Sequence, residues 1–263
     1  LIDFIARYQR LYVLTGAGCS TDSGIPDYRD EAGEWKRRAP IMFQAFVANE
    51  RARKRYWARS LAGFRRIRAA QPNRAHYALA SLERRGQIAQ LVTQNVDGLH
   101  QAAGSENVID LHGCIDAVRC LNCRRRSSRE ALQLELERRN PDFASLKAVE
   151  APDGDADLED VAFERFDVPA CDGCGGVLKP DVVFFGENVP AERVQRAMAA
   201  IEHSDAMLVV GSSLMVYSGY RFVSAAVEAG KPIAAINLGR TRADDLLTLK
   251  VADRCADALQ YLH

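Results

Sequence analysis

The stretch "LYVLTGAGCSTDSGIPDYRD", residues 11–30, sets a short apolar run against a loop of turn-formers. An apolar run of this length that ends in glycine has the pattern of a strand buried on both faces. Gly16 and Gly18 take the first and third positions of a dinucleotide-type glycine turn. The sixth position, where a glycine would let a helix pack closely, is Thr21. Two glycines alone fit a plain strand-to-helix turn equally well. The continuation is more informative: Pro26 holds Ile25 toward extended geometry, so the segment stays open as a loop where an ordinary dinucleotide fold would already be in its first helix.

Three further apolar runs end in small or polar residues: "IAQLVTQN" at 88–95, "AMLVVGSS" at 206–213 and "PIAAINLG" at 232–239. Helical patterns fill 43–69, 73–85, 191–202 and 219–229. This alternation predicts an α/β fold, a Rossmann-like doubly wound parallel sheet whose polar strand ends share one crevice. The pattern stops between 113 and 178. The predicted division is a nucleotide-binding domain at 1–112 and 178–263, carrying a helical module at about 33–72, and an inserted small domain at 113–177. The insert is predicted to contain a helix at 128–139 and a mobile acidic loop near 150–160.

The 35 basic and 35 acidic residues of the 263-residue chain cancel, so no global field favours nucleic acid or an anionic membrane as partner. No apolar run is long enough to cross a bilayer and no signal-like segment opens the chain, which points to a soluble cytoplasmic protein. Seven cysteines is an odd number, and four of them form two Cys-x-x-Cys pairs, Cys120 with Cys123 and Cys171 with Cys174. That usage suits a reducing compartment and a metal better than a disulfide framework. Four soft thiolates close a tetrahedral zinc shell with no open position, which makes the ion structural. Cys114 reads as a small packed residue.

Gln94, Asn95 and Asp97 follow the second apolar run, where polar groups need either a ligand or a helix to cap. His112, one of five histidines, stands in "IDLHGC" at the seam of the insert. An imidazole titrates near neutrality and can act as a general base there, although a lone histidine is more often structural.

Taken together, "GAGCSTDSGIPDYR", "TQNVDGLH" at 93–100, "LHG" at 111–113, the two cysteine pairs and "GSS" at 211–213 resemble the sirtuins, the NAD-dependent protein deacylases. The similarity runs from about residue 11 to about residue 262. "IPDYR", "RYWAR" at 55–59 and "RCADAL" resemble the class II branch, which includes bacterial members. The resemblance implies NAD as co-substrate. The acyl-lysine carbonyl oxygen attacks the ribose carbon bearing nicotinamide, His112 as base helps the adjacent hydroxyl attack in turn, and water releases lysine and an acyl-ADP-ribose.

It further implies that Gly16, Ala17, Gly18 and Ser20 line the NAD site, with Ile25, Pro26, Asp27, Tyr28 and Arg29 in a mobile loop over the ribose. Gln94 and Asn95 would meet the ribose and Asp97 the nicotinamide carboxamide. Gly211, Ser212, Ser213, Asn237, Leu238 and Gly239 would complete the site, with the Cys255 backbone at the adenine. The acyl-lysine peptide would add as a strand against "KPDVVFFGENVP" at 179–190. Tyr56 and Arg59 have the spacing of a carboxylate-binding pair but sit in the helical segment, so they read as structural and the expected acyl groups are neutral. Three competing readings are an ADP-ribosyltransferase using the same NAD contacts, a hydride-transferring oxidoreductase, and a zinc ribbon binding nucleic acid through Arg124–Arg126.

Overall fold

A computed structural model describes residues 1–36, 40–146, 149, 150, 152, 156, 157 and 162–262. In chain order the elements are α1 (Ile2–Arg7), β1 (Leu11–Thr15), α2 (Phe43–Ala48), α3 (Glu50–Ala69), α4 (Arg74–Arg84), β2 (Ile88–Thr93), α5 (Leu99–Ala102), β3 (Val108–Asp110), β4 (Gly113–Cys120) and β5 (Arg126–Ser128). They continue as α6 (Arg129–Arg139), α7 (Pro141–Ala144), β6 (Val149–Glu150), β7 (Ala156–Asp157), β8 (Leu178–Val182), α8 (Ala191–Glu202), β9 (Ala206–Val210), α9 (Tyr217–Glu228), β10 (Ile233–Ile236), β11 (Leu249–Val251) and α10 (Cys255–Ala258). The chain forms two compact units. One comprises Leu1–Arg38, Gln71–Leu111 and Val189–His263, the other Ala39–Ala70 and His112–Asn188.

The first unit is built on a six-stranded sheet in the order β11-β10-β9-β1-β2-β3, with every pairing parallel. β1 is buried along its whole length. Its alternate residues feed two cores: Leu11 and Val13 join Leu79, Leu82 and Leu208 on one face, while Tyr12 and Leu14 join Phe222, Val209 and Ile201 on the other. That double burial is why the strand reads as a continuous apolar run rather than an alternating one. The chain leaves β1 toward β2 on one side and later returns to β9 on the other, so the carboxyl end of β1 is the switch point of the sheet, where α/β folds bind ligands.

The second unit holds a three-stranded antiparallel sheet, β5-β4-β8, in which β8 is an edge strand. The long helix α3 contributes Trp57, Leu61 and Phe64 to its buried side chains. Trp57 and Leu61 share a core with Phe46, Val118, Leu132, Leu136, Phe166 and Phe184. The fully buried Arg129 lies over the Phe64 ring at 4.1 Å and the Trp57 ring at 5.4 Å. It donates through Nη2 to the backbone O of Ser60 at 3.2 Å and to its Oγ at 3.1 Å, while Nε and Nη1 have no hydrogen-bond partner among the described residues. A buried cation so weakly compensated contributes little stability. Arg129→Met is therefore expected to leave the unfolding free energy within about 1 kcal/mol of the parent or to raise it; a denaturant titration showing a loss of several kcal/mol would contradict this.

The four predicted strands, the six-strand parallel sheet and the helices at 73–85, 191–202 and 219–229 are present, with ends shifted by up to two residues. The stretch predicted as one helix over 43–69 is two, α2 and α3. Asn49 between them is extended and accepts from the backbone N–H of Arg51 and Ala52, acting as the cap of the second helix. β3 and β11, the two edges of the large sheet, went unread because three residues carry no periodicity. The acidic loop expected near 150–160 lies mostly outside the described residues, apart from a short antiparallel pairing of β6 with β7.

Candidate active site

At the switch point the loop after β1 is stitched to its neighbours by backbone bonds. Gly16 N–H donates to Val210 O at 3.0 Å and Gly18 N–H to Gly211 O at 2.8 Å. A side chain at Gly16 would meet Ser212 Cβ at 2.8 Å, and one at Gly18 would meet Gly211 Cα at 3.0 Å. Gly211, at φ +64°, would place a Cβ 2.2 Å from the Cys19 nitrogen. Both the left-handed backbone and the contact exclude a side chain there, so Gly211→Ala is expected to cost at least about 2 kcal/mol in chemical denaturation. Two short 3-10 turns, Ala17–Cys19 and Thr21–Ser23, follow β1 in place of the long helix of a dinucleotide fold, and Gly24 at φ +83° ends them.

Behind this loop lies a continuous polar network. Asn95, buried, donates through Nδ2 to Gly16 O at 3.1 Å and to Ser20 Oγ at 3.0 Å. Ser20 Oγ donates to Asp97 Oδ2 at 2.7 Å, and Asp97 Oδ1 accepts from Leu99 N–H at 2.9 Å. Asp97 thus supports the start of α5 and tethers the glycine loop at once, so its capping and site readings are compatible. Burial raises its pKa, while hydrogen bonds from Leu99, Ser20 and its own N–H pull the other way. Gln94 Oε1 accepts from Ser212 Oγ at 2.6 Å, and Gly219 leaves room for its amide, since a Cβ there would lie 2.5 Å from Nε2.

The segment after Gly24 is more ordered than a bare loop. Ile25 is buried and bonds back to Ser20 O at 3.3 Å. Lys36 N–H donates to Tyr28 O at 3.0 Å and Asp30 N–H to Glu34 O at 2.9 Å, and with the Gly33 turn at φ +86° they form a small hairpin. Within it the Arg29 guanidinium lies 4.2 Å from the Trp35 ring centroid and Tyr28 meets Trp35 edge-on at 6.0 Å, while Asp27 pairs with Lys36 Nζ at 2.5 Å. On the far side of the sheet switch, Ser213 O accepts from Arg242 N–H and Asn237 Nδ2 donates to Gly239 O at 3.0 Å. Leu238 is exposed, Gly239 packs against the Glu31 backbone, and Cys255 is buried at the start of α10 with its thiol pushed up to about 12 by burial.

Two residues that sequence reasoning passed over hold the loop in place. Asn73 donates through Nδ2 to Cys19 O at 2.8 Å and to Ser23 Oγ at 3.0 Å, and its Oδ1 caps α4 at Ala75. His76 completes the capping box through Nδ1, accepting from Asn73 N–H, and its Nε2 lies 3.4 Å from Ser20 Oγ. The signal was present in "PNRAH", a cap residue followed three positions later by a side chain able to reach back. Burial lowers the His76 pKa to about 4 and holds His100 well below its ordinary value, with His76 adding to the latter.

In the second unit, His112 is half-buried at the entrance to β4, and its backbone O accepts from Val183 N–H at 2.7 Å. Gly113 follows at φ +90°, where a Cβ would fall 2.0 Å from Asp181 O, so the backbone beside His112 is tightly defined. Tyr56 packs its ring on Phe46, Trp57 and Phe184 at 5.4, 5.3 and 5.0 Å, a core role.

Also in this unit, the Sγ atoms of Cys120, Cys123, Cys171 and Cys174 all lie within 4.8 Å of one another. The two turns share one geometry: Arg124 at φ +63° and Gly175 at φ +71° each follow the second cysteine of a pair and donate their N–H to the carbonyl of the first. Backbone N–H groups of Cys123 and Asn122 help lower the Cys120 thiol, while the thiols around Cys174 raise that one. Donor type, number and convergence fit one structural zinc ion.

The parallel sheet with its glycine loop at the switch point and the four-cysteine cluster define the class to which the chain belongs, the Sir2 family, whose model matches residues 16–218. Among similar proteins, the NAD-dependent protein deacetylase of Xanthomonas campestris pv. campestris (strain 8004) is 66% identical over 262 residues, covering 100% of this chain and 89% of the relative. That of Bordetella bronchiseptica (strain ATCC BAA-588 / NCTC 13252 / RB50) is 64% identical over 256 residues, covering 97% and 93%. A solved structure of Sir2 with a p53 peptide and NAD+ superposes with a TM-score of 0.79 at 31% identity, covering 99% of this chain and 95% of that one. Sir2 bound to an acetylated peptide gives a TM-score of 0.78 at 30% identity, covering 99% and 94%.

Proposed function

We propose that the chain is an NAD-dependent protein-lysine deacetylase, acting on an acylated lysine of a peptide or protein and yielding nicotinamide, free lysine and O-acyl-ADP-ribose. The observation that carries this reading is the Ser20–Asp97–Asn95 network at the carboxyl ends of β1 and β2, taken with relatives of that name at 64% and 66% identity. NAD, when bound, supplies an electrophilic ribose carbon and nicotinamide as leaving group.

In this reading Gly16, Ala17, Gly18 and Ser20 present backbone and hydroxyl donors to it, and Gly211 with Ser212, Ser213, Asn237, Leu238 and Gly239 extends the contact along the sheet ends. Gln94 and Asn95 orient ribose hydroxyls. Asp97 and Ile25 take the carboxamide, and the hairpin with Pro26, Asp27, Tyr28 and Arg29 excludes water. Cys255 contributes backbone only. His112 accepts the proton of a ribose hydroxyl, and orientation of weak reactants in a dry site supplies much of the rate.

Among the described residues β8 is an edge strand of its sheet, which favours addition of the substrate peptide as a strand along 179–190. The packing of Tyr56 into the aromatic core supports neutral acyl groups. No described helix is long and apolar enough to cross a membrane, and a cytoplasmic location accompanies this reading. ADP-ribosyl transfer to protein is the less favoured use of the same contacts.

Incubation with NAD and an acetyl-lysine peptide, followed by mass spectrometry, is expected to give deacetylated peptide and acetyl-ADP-ribose in equal amounts. Nicotinamide release with ADP-ribosylated protein and no acetyl-ADP-ribose would replace the deacetylase reading with the transferase one.

A further inference from the structure

We propose that Lys179 and Glu187 are positioning residues for the acyl-lysine peptide: together they brace the turn at 182–187, so that the edge of β8 meets the incoming strand in one fixed shape. This rests on the peptide-addition reading above and names the side chains that enforce it.

Lys179 lies on β8 and is only 5% exposed. Its ammonium donates to Val182 O at 2.5 Å and to Glu187 Oε2 at 3.0 Å. The same Oε2 accepts from Phe184 N–H at 2.9 Å, and Glu187 N–H returns to Phe184 O at 3.0 Å. The two side chains thus satisfy main-chain groups of Val182 and Phe184 from inside the turn, where an edge strand has no further neighbour to do so. The ammonium also lies 4.7 Å from the Phe184 ring centroid, which fixes that ring. Asp181, two residues along the same strand, is not a competing partner for Lys179, since it pairs with Arg119 at 3.1 Å and Arg126 at 2.8 Å.

The far half of the turn is held separately, by Phe43 N–H on Phe185 O at 2.9 Å and Gln44 Nε2 on Gly186 O at 2.8 Å. Loss of the brace therefore frees chiefly the stretch next to β8.

A buried ammonium is costly unless it is paired and hydrogen-bonded, and a buried ion pair adds little net stability over uncharged residues of like volume. What this pair supplies is a single geometry. An edge shaped in advance leaves less ordering to be done when a peptide adds to it, so the gain falls on peptide binding rather than on folding. Val183 N–H donates to His112 O at 2.7 Å, so a general loosening of the turn would disturb the base and slow every substrate. A brace acting on the edge singles out the peptide.

The test uses the full chain with its zinc cluster loaded, assayed with NAD on two substrates: an acetyl-lysine peptide with several residues on both sides, and acetyl-lysine capped at both ends, which has too little main chain to pair as a strand. Lys179→Met, Glu187→Gln and the double variant are compared with the parent. Each single change leaves one buried charge alone and is expected to lower the melting temperature, whereas the double variant removes both charges and is expected to melt close to the parent. In the double variant the ratio of kcat/KM for peptide over capped lysine is expected to fall about 10-fold or more, the worth of one charged hydrogen bond, carried by KM for the peptide. Equal loss on both substrates, no loss on either, or a loss carried by kcat overturns the brace. A double variant that melts far below the parent overturns it as well, because the pair would then serve folding. A parent inactive on both substrates overturns the deacetylase reading itself, and the brace with it.

Discussion

His112→Ala is expected to lower kcat by about 10²- to 10⁴-fold, the range for loss of a positioned general base, while the melting curve and NAD affinity stay close to those of the parent. Alanine keeps the main-chain bond at this position, in which His112 O accepts from Val183 N–H. Gly113 at φ +90° holds the adjoining backbone whatever side chain precedes it. Equal kcat in parent and variant would remove His112 from the role of base.

The second large effect is expected from zinc removal. A structural zinc shell in a small unit contributes on the order of 10 kcal/mol to the folded state, comparable to a domain's whole margin of stability. Prolonged chelation, or Cys120→Ser with Cys171→Ser, should release one zinc ion and abolish cooperative unfolding of the unit built on β4, β5 and β8. The first unit, whose core is the buried six-stranded sheet, should keep its own transition. Proteolysis at Arg124–Arg126, in and after the first cysteine turn, gives a local readout. A chelated protein that retains two native transitions and resists proteolysis there would show that the four thiols pack without needing an ion.

Much of the fold was legible because burial leaves a local trace. β1, β9 and β10 each present consecutive apolar residues, β2 does so apart from Gln90, and Gly, Ser or Asn marks where they end. The paired cysteines were legible for a similar reason: a Cys-x-x-Cys turn aims two thiols at one point whatever surrounds it. Asn49 was less transparent, since a capping residue inside a long amphipathic stretch looks like one more polar face position until the helix is seen to restart there.

The sequence by itself determined the strands β1, β2, β9 and β10, the glycine loop, the cysteine turns and the family, since each depends on motifs of residues close together along the chain. Only the tertiary structure decided that Gly211 must be bare because Cys19 lies against it, and that Asn73 ties the loop down. Those arrangements join residues far apart in the chain, and nothing in local periodicity encodes which distant side chain will fill a given space. That is settled by close packing of the whole unit, in which strand order and helix placement bring the partners together.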